Sequence, residues 1–168
     1  MAGPIVKHVD QCSPENLVKM NIERRPRFAL LGMRSNAFIP VYALFESRCE
    51  IINLSDGFGG FASEYDGAFA LDFGPNFIVK PSYADCEIGN GDLFMTPGAI
   101  VRTADADYLV ASGLRTLVYR DMKTGGHTGQ PGGPRVAFAS WSLFTPEDDK
   151  IPLIEMTVRK AETPVRGT

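Results

Sequence analysis

Histidine is nearly absent from this chain. Only His8 and His127 occur in 168 residues, one near the start and one in a glycine-rich stretch. That excludes the multi-histidine ligand sets of many β-barrel metalloenzymes, so neither a metal nor another cofactor is expected. Cysteine is almost as scarce. Cys12, Cys49 and Cys86 are an odd number at wide, unrelated spacings, without a C-x-x-C pair, which predicts three free thiols in a reducing compartment. No basic run followed by an apolar core opens the chain. No apolar run approaches the ~20 residues of a membrane-spanning helix, because Arg, Glu, Asp, Pro or Gly interrupts each one. The expectation is a cytoplasmic site of synthesis, no membrane partner, and a virion as the eventual location if the chain belongs to one.

The common catalytic fingerprints are missing too. There is no G-x-S-x-G elbow, Walker phosphate loop or dinucleotide motif. Gly57-Phe58-Gly59-Gly60 and Gly125-Gly126 lack the strand–glycine–helix context and the following Lys-Ser or Lys-Thr that phosphate binding needs. With 17 basic against 20 acidic residues, the net charge is -3. No block of like charge is strong enough to track a phosphate backbone, so nucleic acid is not expected as a primary partner.

What is present reads as strand. At this length one domain buries roughly 70% of the unfolded surface, so neither disulfide nor metal is required for stability. From residue 27 onward, short runs rich in Val, Ile, Phe and Tyr are each closed by Gly, Pro, Asn or Asp. Strands are predicted over 27–33, 37–46, 49–54, 68–73, 76–79, 99–103, 108–112, 114–122, 136–144 and 153–160. Phe138 is expected to face inward, Trp141 breaks the alternation of its segment, and 103–108 reads as a hairpin turn. Pro40 removes a ladder donor and predicts an edge strand, a bulge or two shorter strands. The fold class is a mostly β, single-domain antiparallel sandwich or barrel-like body over 27–160. Residues 1–26 form an extended N-terminal arm, and 161–168 a C-terminal tail. Ser13 as N-cap and Pro14 at the first helical position predict one short helix over 13–20 within the arm.

Several residue groups admit a chemical reading beside a plainer one. His127 is of a residue type that can act as a general base, or is an exposed loop residue. Asp56, Glu64 and Asp66 offer oxygen ligands for calcium but lack the D-x-[DN]-x-[DN]-G spacing. The plainer reading is that they solvate a loop whose Phe58, Phe61 and Tyr65 either fold back into the chain's own core, the leading single outcome, or meet a partner. Asp85, Glu87, Asp92, Asp105 and Asp107 could pair for acid–base work, although such residues are ordinary in turns. Cys12 precedes the predicted helix start, the single hint of an activated thiol. Cys49 and Cys86 lie beside acidic residues that oppose ionisation.

Two long connections stand out. Residues 55–67 mix glycine with Phe58, Phe61 and Tyr65, whereas 123–134 are nearly devoid of apolar side chains. The polar, proline-bearing ends and this second loop have little with which to fix themselves, and ordering each residue costs ~1–2 kcal/mol of backbone entropy. Anchorage on a neighbouring copy is therefore expected. The leading functional expectation is a non-enzymatic structural subunit of a large homo-oligomeric assembly, a virus or bacteriophage capsid or decoration protein. Its expected partners are copies of itself, with a second shell or complex protein as a further candidate. Its interface candidates are Pro4, Ile5, Val6, Phe58, Phe61, Tyr65 and His127. The rival is a small-molecule-binding or enzymatic β-barrel with a cavity near Phe58, Phe61, Tyr65 and His127. A third reading is an accessory subunit of a hetero-complex.

Overall fold

The computed structural model describes residues 3–113 and 115–158, and they are mostly strand and turn. The strands are β1 (Ile5–His8), β2 (Leu17–Ile22), β3 (Arg25–Leu31), β4 (Pro40–Phe45), β5 (Arg48–Asn53), β6 (Phe69–Gly74), β7 (Ile78–Pro81) and β8 (Cys86–Ile88). They continue with β9 (Ile100–Thr103), β10 (Asp107–Ser112), β11 (Leu117–Asp121), β12 (His127–Thr128), β13 (Arg135–Phe138), β14 (Ser140–Phe144) and β15 (Ile154–Thr157). Two 3-10 turns, Val9–Gln11 and Asp92–Met95, are the only helical elements among the described residues.

Every predicted strand segment overlaps a strand, and Thr103 closes the β9–β10 hairpin by donating its N–H to Ala106 O. The short helix over 13–20 is not formed. Val18, Met20 and Ile22 are buried and alternate with Lys19 and Asn21, and this period of two overrides the Ser-Pro capping signal because β2 pairs with β3 on one side and β6 on the other and buries one face. Nor do the described residues of 3–26 extend away as an arm. They supply β1, β2 and the start of β3, with β1 and β2 both paired to β6. The predicted tail 161–168 lies outside the described residues.

One sheet has 12 strands in the order β1-β6-β2-β3-β4-β5-β10-β9-β13-β8, with β11 on β10 and β12 on β11; the other is β15-β14-β7. Neither closes into a barrel, which corrects the barrel-like alternative. Pro40 does not mark an edge. It is the first residue of β4, where its missing N–H costs no ladder bond, and β4 lies between β3 and β5. The segment 136–144 is two strands: β13 pairs in the large sheet and β14 in the small one. The chain changes sheet at Ala139, which explains why Trp141 breaks the alternation. Trp141 is buried and donates its indole N–H to Gly98 O at 2.7 Å.

The large sheet has two six-strand halves joined, among the described residues, by one parallel bridge, Ser112 to Glu50. Side chains do most of the joining. One core cluster draws Leu17, Leu30 and Tyr42 from the first half, Ile100, Leu109 and Phe138 from the second, and Trp141, Leu143 and Met156 from the small sheet. On the opposite face of β2–β5, Val9, Cys12, Leu54, Phe61 and Tyr65 cover Val18, Met20, Ala29 and Val41. The 3-10 turn Asp92–Met95 covers the back of the second half through Leu93 and Phe94.

Candidate interaction surface

The loop 123–134, expected to lean on another copy, is anchored on its own chain through its first half, up to Thr128. Asp121 Oδ1 accepts the N–H groups of Lys123 and Thr124 at 2.8 and 3.1 Å. Gly125 donates to Asp121 O and accepts from Met33 N, and His127–Thr128 pair with β11. Gly125 sits at φ +78 against Pro14 O, where a Cβ would come within 2.3 Å. The glycine is thus a packing requirement, not a sign of slackness.

The structure divides the interface candidates into three groups. Pro4, Ile5 and Val6 lie at or beside β1, a terminal strand of the large sheet that, among the described residues, pairs with β6 alone. Ile5 is 54% and Val6 66% exposed, and neighbouring Phe69 is 64% exposed. Val6 pairs with Leu71 and His8 with Phe69, so Val6 and Phe69 share a face. The His8 ring stacks on Phe69 at 4.7 Å and its Nδ1 lies 3.3 Å from Gly67 O. Phe61 and Tyr65 form the second group and pack inward. The Arg34 guanidinium lies 5.9 Å from the Phe61 ring centre and donates to the carbonyls of Val9, Asp10 and Cys12. Phe58 and His127 stand apart from both groups. Phe58 is 93% exposed, whereas His127 meets the edge of Phe38 and lines a groove of about 250 Å³ with Tyr108, Asp121 and Thr124. The four residues of the expected ligand cavity therefore do not gather around one space.

Calcium ligation is not what Asp56 serves. Its Oδ1 accepts the N–H of Phe58 at 2.7 Å and of Gly60 at 3.2 Å, turning the chain under the exposed ring. No group of three or more His, Cys, Asp or Glu placed to hold a metal occurs among the described residues. Cys12 has no helix behind it. Burial, followed by the Asp72 charge, pushes its thiol up to about 11. Burial also raises the Cys49 thiol, and neither sulfur is activated. No disulfide joins Cys12, Cys49 or Cys86. Among the described residues, no helix is long and apolar enough to cross a membrane.

Two polar sites escaped sequence reasoning. Asp72, buried beneath β1, accepts from Lys7 Nζ at 2.9 Å, from Asn16 Nδ2 and from Gly74 N, and so ties β1 to β6 and to the turn before β2. Arg120 is fully buried in β11. Its Nε donates to Leu31 O at 2.6 Å, Nη1 to Asp121 O at 3.0 Å and Nη2 to Pro14 O at 3.1 Å, and its guanidinium lies 5.6 Å from the Tyr42 ring centre. Burial pulls this guanidinium down to about 10, so it stays charged at neutral pH. Isolated charges in Tyr-Arg-Asp and Leu-Asp-Phe carry no periodic signal that distinguishes them from surface residues.

No family model matches the chain, and no curated protein or solved structure is significantly similar to it.

Proposed function

We propose that this protein is a non-enzymatic structural subunit of a homo-oligomeric assembly, such as a virus or bacteriophage shell or its decoration layer. The observation carrying the reading is the β1 edge, on which no further strand lies among the described residues. A terminal strand normally carries protection in the form of charge, proline or a covering loop. Here Ile5, Val6 and Phe69 are exposed together, and the one lysine of β1 is turned back onto Asp72. An edge with unpaired backbone groups and apolar side chains on both faces accepts another strand. The sandwich-like arrangement of sheets behind β1 supplies a rigid support. The two deactivated thiols and the structural use of Asp56, Asp72 and Arg120 agree with a role in contact, not chemistry.

Native mass tests the reading. Sedimentation velocity over a range of concentrations should show self-association of the full chain, weakened by Val6→Asp, which places a carboxylate on the edge. A wild-type chain that stays monomeric at the highest attainable concentration overturns it.

A further inference from the structure

We propose that a second copy of this chain inserts its Phe58 ring into an apolar pocket lined by Phe38, Ile51, Asn53, Gly113, Thr116 and Val118, and that the two copies do so reciprocally. The proposal rests on the reading that copies associate, and names a contact distinct from the β1 edge.

The ring is a presented knob. Phe58 is 93% exposed, yet the backbone beneath it is fixed. Gly57 and Gly59 adopt φ of +89 and +95, Asp56 N donates to Gly60 O, and Asp56 Oδ1 takes the N–H groups of Phe58 and Gly60. Gly59 N and Ser55 Oγ both donate to Asn36 O, tying the loop to the neighbouring turn. A phenyl group held outward on an ordered turn has already lost the backbone freedom that association would otherwise remove. Phe61 and Tyr65, from the same loop, pack inward, so Phe58 is left out by the fold and not by a general shortage of core.

The pocket matches the ring in size and polarity. It holds about 140 Å³, and an apolar cavity of roughly 150 Å³ accommodates benzene. Its one amide is already satisfied. Asn53 Oδ1 accepts from Ile39 N and Ser55 N, and Nδ2 donates to Ala37 O, so covering it leaves no polar atom newly stranded. Gly113 keeps the space open, since a Cβ there would meet Val118 and Ile51 at 3.6 and 3.7 Å and the Thr116 carbonyl at 2.9 Å.

Placement supplies the partner. Knob and pocket share the 36–38 turn: Asn36 holds the Phe58 loop, Phe38 lines the pocket, and Asn53 braces both sides. An isologous contact needs a donor feature and its receptor next to each other on one patch, so that a two-fold axis between them superimposes each on the other's counterpart. A second copy of this chain meets that requirement.

The test uses the full chain. Phe58→Ala removes the knob, and Thr116→Phe fills the pocket from its exposed rim. Sedimentation equilibrium should show each variant weakening self-association by about 10²–10³-fold, the effect of leaving two rings in water. An equimolar mixture of the two should partly recover it, because the ring of one chain meets the open pocket of the other. Fluorobenzene, followed by ¹⁹F NMR, should bind Phe58→Ala and not Thr116→Phe. Both variants associating like wild type, or no fluorobenzene binding to Phe58→Ala, overturns the proposal. If, with those variants unaffected, Val6→Asp still weakens association, the structural-subunit reading survives without this contact. A wild-type monomer removes both.

Discussion

Arg120 Nε donates to the carbonyl oxygen of Leu31 at 2.6 Å across 89 residues of sequence. The same guanidinium reaches Pro14 O, so one side chain from the second half of the large sheet satisfies two carbonyls of the first. These bonds lie in a buried site, where a charged donor is worth more than at the surface and its loss leaves carbonyls without partners.

Replacing Arg120 by lysine keeps the charge but cannot serve three carbonyls pointing in different directions. Arg120→Lys is expected to destabilise the fold by about 2–4 kcal/mol, read as a lower urea midpoint with an unchanged slope. An unaltered midpoint would contradict the role given to the guanidinium.

The β2–β3 hairpin turns on Glu23 and Arg24, both non-glycine residues in the left-handed region at φ 54 and φ 66. Such two-residue turns favour Asn-Gly. The double substitution Glu23→Asn, Arg24→Gly should raise stability by about 1–2 kcal/mol. The Glu23–Arg27 contact it removes is partly exposed and long, at 3.8 Å, and contributes little. Thermal melts of the two chains decide the sign.

Two glycines with similar dihedral angles should respond differently to alanine. Gly57, at φ +89, has open space around it, whereas Gly125, at φ +78, faces Pro14 O. Gly57→Ala should cost about 1 kcal/mol from the backbone alone, and Gly125→Ala about 2–4 kcal/mol because the carbonyl must move as well. Equal losses would show that the contact with Pro14 is soft.

Cys12 and Cys49 are buried and Cys86 is half-buried. Brief treatment with iodoacetamide under native conditions should alkylate Cys86 and spare the other two, and mass spectrometry of peptides reads the pattern directly. Alkylation of Cys12 at the rate of Cys86 would mean that the 3-10 turn above it opens readily.

Alkaline pH should weaken the fold before any mild acid does so through these groups. The Cys12 thiol rises from 9.0 to about 11 and the Tyr42 phenol from 10.0 to about 12, both chiefly through burial. Each is an acid whose folded value exceeds its unfolded one. Its contribution is complete below the unfolded value and disappears as pH climbs through the folded one. Melting temperature should therefore fall from about pH 9 upward. A flat profile to about pH 11 would rule out the burial assigned to these groups.

Strand content was legible because β-branched and aromatic runs between turn residues need no tertiary information, and ten such runs each met a strand. The N-terminal strands were misread for a local reason. Ser13-Pro14 is a sound capping pair, and only the company of β3 and β6 makes the alternation of Val18, Met20 and Ile22 decisive. Pro40 misled in the same way, since a first-strand position and an edge position look alike in sequence. At the candidate surface, Ile5, Val6 and Phe58 could be named from residue type and an inward turn of the loop aromatics was open, but residue type does not tell that Phe61 and Tyr65 turn inward while Phe58 stays out. The scarcity of apolar side chains in 123–134 suggested a loose excursion, whereas the close approach of Gly125 to Pro14 requires that one residue to be small. Asp72 and Arg120 were invisible because a buried polar residue is recognised by its partners, which lie 56 and 89 residues away.

The bridge between Ser112 and Glu50 joins strands that are made at different times during synthesis. Strands β2 to β5 are joined as successive hairpins and can zip together as soon as they emerge, while the carbonyls of Pro14 and Leu31 still face water. Only when β11 arrives does a guanidinium close over them. The first half thus has an open flank until the later half is made, because the carbonyls of Pro14 and Leu31 take their donor from Arg120, and Leu17, Leu30 and Tyr42 share a core with Ile100, Leu109 and Phe138.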